Sequence, residues 1–286
     1  MGQGERSSRL HRSRARAVLA LALTLTLFAS PARAGDAPPC RTGDELVAYD
    51  GGRWSRVVID TWWRLSGAYA PNDLVSVRRA HIPGSGKVRG LVIDDLSAMA
   101  ADARAQGIRL AVQSAYRSYG AQASTFREWV RKIGLNRALL SSARAGHSEH
   151  QLGTAVDFKS PGGPVPWANY PRWERTPISR WLAANAWRYG FILSYPKSAR
   201  ETTCYLYEPW HYRYVGRDIA REIHDGGQPP RIWMLSHPNP SPSPTPTPTG
   251  TPTPTAEPTA EPTAEPTAEP TAESTAEPTS EPSPIQ

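Results

Sequence analysis

Two short segments, about fifty residues apart, place the strongest constraint on how this chain can fold. Residues 147–157 read HSEHQLGTAVD, and residues 208–214 read EPWHYRY. Each segment carries histidine together with a carboxylate, and two histidines with one acid are a usual ligand set for a catalytic zinc ion that keeps a position open for water. A chain that uses this set must bring both segments to one cleft.

The first 34 residues form a predicted signal peptide. Arginines cluster between residues 6 and 16, an apolar stretch covers residues 17–29, and Ala32-Arg33-Ala34 matches a small-x-small cleavage site. The mature chain is therefore expected to begin at Gly35. The apolar stretch is short for a membrane span, which needs roughly 20 residues. This disfavours an uncleaved anchor and predicts export without stable insertion in a membrane.

The C-terminal residues 238–286 form a predicted disordered tail rich in Pro, Thr, Ala and Glu. Apart from Ile285 the tail has no large apolar residue, so it cannot bury a core. Such a tail could span wall polymer, carry sugars on its threonines or be dispensable, and the sequence does not choose among these roles.

The remaining residues, 35–237, have a suitable length for one domain and a basic charge. The signal region holds six Arg and one Glu, and the tail holds seven Glu, which leaves 27 basic and 18 acidic residues, a net charge of +9. A basic exported domain suits an anionic matrix such as a bacterial wall. Export and the lack of basic runs interleaved with aromatics argue against nucleic acid as a partner.

The two cysteines of the chain, Cys40 and Cys204, predict one disulfide. An even cysteine count in an oxidising compartment favours this pairing. A Cys–His nucleophile is disfavoured because no pattern of acid and histidine surrounds either cysteine.

The hydrophobic pattern predicts mixed helices and strands, and hence an α+β class. We expect helices over 91–106, 122–133 and 178–189, with a final helix starting at Ile219. We expect strands over 108–115, 154–158, 191–193 and 205–214.

Within this pattern, His150, Asp157 and His211 are the candidate ligands, and Glu208 is the candidate general base. Glu208 and His211 are three residues apart and would face opposite ways on a regular strand. The strand must therefore bend or begin between them, which Pro209 makes plausible. The alternative, that both histidines are only structural, does not account for the accompanying acids.

Three other polar residues lie near these motifs. Arg117 falls between a predicted strand and helix and could pair with a carboxylate or an oxyanion, although an arginine there could also simply cap a helix. Ser148 with His150 is weak evidence for a serine hydrolase. His147 is expected to support the site rather than bind metal.

These motifs resemble those of the VanY-type D-alanyl-D-alanine carboxypeptidases. The matching residues are Ser114-x-Tyr116-Arg117-Ser118, Ser148-x-His150-x-x-Gly153-x-Ala155-x-Asp157 and Glu208-Pro209-Trp210-His211-x-Arg213-Tyr214. The family belongs to a wider group of zinc peptidases that includes lysostaphin and the hedgehog signalling domain. The resemblance covers about residues 45–225.

The resemblance implies a small single α+β domain whose central antiparallel sheet lines a zinc cleft and is flanked by helices. It implies one Zn²⁺ per domain bound by His150, Asp157 and His211, with Glu208 as base. Arg117 is then expected to bind substrate and stabilise the oxyanion, with Ser148 and Gln122 as further substrate contacts.

The implied reaction is removal of the terminal D-alanine from peptidoglycan stem peptides by direct water attack, in a secreted, wall-associated enzyme that we expect to be a monomer. The alternatives are an L,D-carboxypeptidase, a peptidoglycan endopeptidase, and a zinc-containing wall-binding module without activity. An intact base at Glu208 and an intact Arg117 favour an enzyme.

Overall fold

A computed structural model describes Cys40, residues 42–197 and residues 199–238. The predicted signal peptide lies outside these residues, as does the predicted tail beyond Pro238. Among the described residues, no helix combines the length and the apolar character needed to cross a bilayer.

Eight strands and eight helices are found among the described residues. The strands are β1 (Glu45–Leu46), β2 (Trp63–Arg64), β3 (Leu74–Ser76), β4 (Lys87–Arg89), β5 (Ala111–Ser114), β6 (Ala155–Lys159), β7 (Phe191–Leu193) and β8 (His211–Tyr214). The helices are α1 (Ile93–Ala105), α2 (Tyr119–Ile133), α3 (Leu135–Ser141), α4 (Tyr170–Glu174), α5 (Pro177–Asn185), α6 (Arg200–Thr203), α7 (Arg217–Gly226) and α8 (Pro230–Ser236).

The main sheet has four strands in the order β5-β6-β8-β7, and every neighbouring pair is antiparallel. Strands β1 and β2 form a small parallel pair, and β3 and β4 form an antiparallel pair. The α+β class predicted from the sequence is confirmed, and the central antiparallel sheet is present.

Alternation along the two central strands separates the core from the polar face of the sheet. Phe158 of β6 and Tyr212 of β8 pack in the largest hydrophobic cluster, together with Leu96 of α1 and Leu182 of α5. Because successive strand residues point to opposite faces, the residues between these core positions point away from that cluster. Asp157 and the two polar residues of β8 therefore share the other face.

Most predicted elements lie close to their predicted positions. The predicted helices over 91–106 and 122–133 correspond to α1 and α2, and the strand over 154–158 corresponds to β6. The helix predicted over 178–189 is α5 followed by a 3-10 turn, and Thr176 caps it by accepting a hydrogen bond from the Ser179 backbone N–H (3.2 Å).

The strand predicted over 205–214 is wrong in its first half. Strand β8 begins only at His211, because Glu208, Pro209 and Trp210 form a turn. The His211 backbone N–H closes this turn by donating to the Glu208 carbonyl oxygen (3.0 Å). The final helix also begins two residues earlier than predicted, at Arg217. Helices α3, α4, α6 and α8 were not predicted.

The predicted disulfide is present between Cys40 and Cys204, which are separated by 164 residues in sequence. It joins the start of the described chain to the residue that follows α6, a few residues before Glu208. A cross-link over so long a loop reduces the conformational entropy of the unfolded chain.

We predict that replacing both cysteines, Cys40→Ser with Cys204→Ser, lowers the free energy of unfolding by about 4–5 kcal/mol in the loop-entropy model. Urea unfolding of the oxidised chain and of the double variant measures the difference. The oxidised chain treated with a reductant serves as control and should unfold like the variant. Equal unfolding free energies for the oxidised chain and the variant would contradict a stabilising disulfide.

Candidate metal centre

The register of the main sheet brings two of the predicted ligands together. Asp157 in β6 is paired directly with His211 at the start of β8. Side chains at such directly opposed antiparallel positions lie about 5 Å apart on the same face. The Asp157 Oδ1 atom lies 3.0 Å from Nδ1 of His211. Two ligands from distant parts of the sequence thus meet because of strand pairing alone.

The third predicted ligand, His150, comes from a 3-10 turn, Glu149–Leu152, that leads into β6. Ser148 caps the turn, with its hydroxyl accepting a hydrogen bond from the His150 backbone N–H (3.3 Å). Gly153 ends the turn at φ +75°, where a Cβ would approach the Arg89 and Leu74 side chains to 3.0–3.1 Å. A larger residue would therefore strain the turn, because of the positive φ and because these side chains would have to shift.

The ring of His150 is oriented by the end of β5. Its Nδ1 lies 2.7 Å from the Ala115 carbonyl oxygen, and its Nε2 lies 3.2 Å from Asp157 Oδ2. A carbonyl only accepts hydrogen bonds, so Nδ1 carries the proton and Nε2 is left to bind a metal. Burial, aided by the charge of Arg117, lowers the pKa of His150 and keeps the ring neutral, although Asp157 opposes this effect.

One donor atom from each of His150, Asp157 and His211 lies within 4.8 Å of the other two, and all three residues are buried. Two imidazoles and one carboxylate match the donor set of catalytic zinc sites. The residues therefore fit a zinc ion, which His150 would bind through Nε2 and His211 through Nδ1.

The pKa of each residue in this cluster depends strongly on the charges of its neighbours. Burial alone would raise the pKa of Asp157, but the neighbouring His150 and His211 hold it well below its ordinary value. Burial alone would lower the pKa of His211, but hydrogen bonds to Asp157 and Glu149 raise it to about 10. Without metal, the raised pKa favours the imidazolium form of His211, whose Nδ1–H then donates to Asp157 Oδ1.

Arg117 and Gln122 form one unit beside the cluster. Arg117 donates from Nη1 to Gln122 Oε1 (2.7 Å) and from Nη2 to the Ser114 hydroxyl (2.8 Å). Gln122 in turn donates to the Ala143 carbonyl oxygen (2.6 Å). Arg117 lies on the cavity wall, whereas Gln122 is buried and is not among the residues that line the cavity. The placement of Gln122 suits support of Arg117 better than the predicted contact with substrate.

Glu208 lies on the wall of the same cavity as the three predicted ligands. Burial, together with the negative charges of Asp157 and Glu149, raises its pKa to about 8, against the opposing effects of His211 and Arg117. A carboxyl group whose pKa lies near neutrality is suited to both accept and release a proton.

The cavity has a volume of about 560 Å³, within the usual range for small-ligand sites. Besides the residues already described, Ser148 lines it, and so do seven aromatic residues. These aromatic residues are Trp129, Trp167, Tyr170, Tyr195, Tyr205, Tyr207 and Trp210. A second cavity of about 470 Å³ includes none of the predicted metal ligands.

The sequence did not lead us to predict the polar residues that contact the far side of the His211 ring. Glu149 and Arg213 are buried and paired, and Ser194 donates to Glu149. Arg213 lies two residues after His211 in β8, so strand alternation places both on one face, a signal that the sequence does contain. His147, as expected, is away from the cluster, where it contacts the Asp60 carbonyl oxygen (2.6 Å) and Asp44 (3.2 Å).

Comparison with known proteins places these residues in a family. The family model VanY, described as D-alanyl-D-alanine carboxypeptidase, matches residues 86–217. This range contains the three predicted ligands, Arg117 and Glu208. Residues 86–217 therefore form a VanY-family domain.

Similar proteins include a D-alanyl-D-alanine carboxypeptidase of Enterococcus faecium, 36% identical over 126 residues, which are 44% of this chain and 36% of that protein. The solved structure of the LD-carboxypeptidase LdcB has 30% identity and a TM-score of 0.59, covering 70% of this chain and 94% of LdcB. The solved structure of a D,D-pentapeptidase VanY variant from a VanB-type resistance cassette, in complex with Zn(II), has 28% identity and a TM-score of 0.54. The match covers 63% of this chain and 99% of that structure.

The chain spans between 36% and 62% of the lengths of the curated relatives that it matches. The VanY domain is therefore the shared part, and a relative binds zinc on the same fold. In this chain the candidate zinc site is the His150, Asp157 and His211 cluster.

We predict that zinc uptake releases protons near pH 7. His211 must lose its Nδ1 proton to bind zinc, and the positive charge of the ion lowers the pKa of Glu208, so about one to two protons should leave per ion. Because the pKa of His211 is raised, the apparent zinc affinity should increase as pH rises toward about 10. Calorimetry in buffers of different ionisation enthalpy measures the release.

The Glu208→Gln variant is the matched control for this measurement, since it removes one titrating group without removing a ligand. Its proton release should fall to about one. Zinc binding without proton release at pH 7 would contradict the assignment of His211 Nδ1 as a ligand atom.

Proposed function

We propose that this chain is a secreted, wall-associated zinc metallopeptidase that hydrolyses the terminal D-alanyl-D-alanine bond of peptidoglycan stem peptides. The observation that carries the proposal is the placement of Glu208 and Arg117 on the wall of the cavity that holds the buried His150, Asp157 and His211 cluster. A module that only bound the wall would need neither a base nor a second cation at that position.

The cofactor of the proposed reaction is one Zn²⁺ per domain. Bound by His150, Asp157 and His211, the ion would act as a Lewis acid and lower the pKa of a water molecule to about 7. The Zn(II) complex of the VanY relative supports this choice of metal.

Glu208 would take the proton of the attacking water and deliver it to the leaving D-alanine amine. The raised pKa of Glu208, about 8 before any ion is bound, suits delivery of the proton to the leaving amine. The positive charge of the ion would lower this pKa, which suits removal of the proton from water. The same carboxylate thus serves as base and then as acid, so no covalent intermediate with the enzyme is needed.

Arg117 would face the developing oxyanion or the substrate carboxylate. The hydrogen bonds from Arg117 to Gln122 and Ser114 fix the guanidinium before substrate arrives, which reduces the reorganisation needed in the transition state. Ser148 lines the cavity and is proposed to contact substrate, while Gln122 would act through Arg117.

A second candidate function is that of an L,D-carboxypeptidase, which removes the D-alanine of a tetrapeptide stem. The likeness to LdcB favours it, with 30% identity over 94% of that structure. Both reactions would use the same ligands and base, so they differ in how the cavity accommodates the end of the stem.

The deciding experiment incubates the purified chain separately with pentapeptide and tetrapeptide stems and identifies the products by mass spectrometry. We expect loss of one D-alanine from the pentapeptide, abolished by a chelator and restored by zinc. Cleavage of the tetrapeptide instead would identify the L,D-activity. Zinc binding without cleavage of either stem, or of cross-linked wall, would leave only a binding module.

We predict that Glu208→Gln keeps the zinc content of the chain but lowers turnover by about 10²–10⁴-fold, since it removes the acid–base group alone. Metal analysis and D-alanine release measure the two effects. Glu201→Gln, which alters a side chain that is 86% exposed, is the control and should leave both unchanged. Wild-type turnover in the Glu208→Gln variant would refute the role of this residue.

A further inference from the structure

Glu149 lies directly behind His211 and has each carboxylate oxygen engaged. Its Oε1 accepts a hydrogen bond from Arg213 Nη1 (2.9 Å). Its Oε2 accepts one from the Ser194 hydroxyl (2.6 Å) and lies 3.0 Å from His211 Nε2. Glu149 therefore contacts the ring nitrogen opposite the one that faces Asp157, which makes it a neighbour of a ligand and not a ligand itself.

The two ligand histidines are held in different ways. His150 has a neutral partner for its outer nitrogen, the Ala115 carbonyl oxygen at 2.7 Å. His211 has a carboxylate, Glu149, at 3.0 Å. A carboxylate that accepts from the outer N–H of a ligand histidine fixes the tautomer and makes the other nitrogen a stronger donor to the metal.

Arg213 makes a carboxylate acceptable in this buried position. It is fully buried, donates from Nη2 to the Trp54 carbonyl oxygen (2.7 Å), and has its Nη1 within 3.6 Å of Met234 Sδ. A buried charge without compensation is strongly destabilising, whereas a well hydrogen-bonded pair is tolerated. Arg213 follows His211 by two residues on β8, so one strand presents both the ligand and the cation behind it.

We propose that Glu149 is a positioning residue, which holds His211 with its Nε2–H toward the Glu149 carboxylate so that Nδ1 binds zinc, and that Arg213 provides the charge that keeps Glu149 in place. The proposal rests on the ligand set of the proposed function. It adds Glu149, a residue outside the proposed ligand set, to which the resemblance to the family assigned no role.

The test measures zinc affinity of the purified chain by competition with a chelator, which is independent of turnover. Glu149→Gln should weaken zinc binding by about 10–100-fold, the usual effect of losing an outer carboxylate partner. Because this variant leaves Arg213 without its partner, the double variant Glu149→Gln with Arg213→Met restores charge balance and keeps similar volumes. It should fold, as judged by circular dichroism, and still bind zinc about 10–100-fold more weakly.

Ser194→Ala is the matched control, since it removes a hydrogen bond to the same Oε2 atom but leaves the carboxylate and its charge. Its zinc affinity should stay within about threefold of the wild-type value, because the acceptor for His211 remains. The visible absorption spectrum of the cobalt(II)-loaded chain gives a second readout. It should change in both Glu149 variants and not in Ser194→Ala.

Wild-type zinc affinity in the folded double variant would overturn the proposal, because Glu149 would then serve only to pair with Arg213. Nitrogen NMR of the zinc-loaded wild-type chain tests the tautomer without any substitution, and zinc found on Nε2 of His211 would also overturn it. A wild-type chain that bound no zinc would instead remove the proposed function, so the two failures are distinguishable.

Discussion

The pairing of β6 with β8 is the constraint on which the candidate site depends. Their register sets Asp157 opposite His211, and their alternation turns Phe158 and Tyr212 toward the helices on the other face. The hydrophobic core and the metal cluster are thus two faces of the same strands. A shift of one residue in this register would move the ligands into the core and the core residues into the cavity.

Once these strands are paired, burial governs the chemistry of the polar face. Buried acids would ordinarily hold their protons, yet Asp157 and Glu149 are kept ionised by the groups around them. Burial alone would raise the pKa of Glu149, but the charge of Arg213 and the hydrogen bonds to His211 and Ser194 lower it to about 2. Among the residues that the structure describes, no cation is hydrogen-bonded to the Glu208 side chain, and burial raises its pKa. Carboxylates within one site therefore suit different tasks, two of them fixed in charge and one able to exchange a proton.

The sequence predicted the α+β class and the residues of the metal cluster because each depends on local signals, and it predicted the disulfide because the chain has two cysteines. The clearest local signals were the periodicity of α1 and the two histidine–acid motifs. It extended β8 back to residue 205, since the aromatic residues before His211 carry strand propensity. The spacing of Glu208 and His211 together with Pro209 did indicate that the strand bends or begins between them, and β8 begins at His211. The pair of Glu149 and Arg213 was missed because a buried ion pair between distant segments has no periodic pattern.

The turn before β8 positions Glu208 separately from the strand pairing that positions His211. His211 is fixed by strand pairing, whereas Glu208 is held by the turn through its backbone, which donates to the Tyr195 carbonyl oxygen and accepts from His211. Changes in the loop between β7 and β8 can therefore move the proposed proton-transfer group and reshape the cavity while the sheet keeps the candidate ligands in place. In evolutionary terms, substitutions in this one segment can alter the proposed substrate choice while the candidate metal site is preserved.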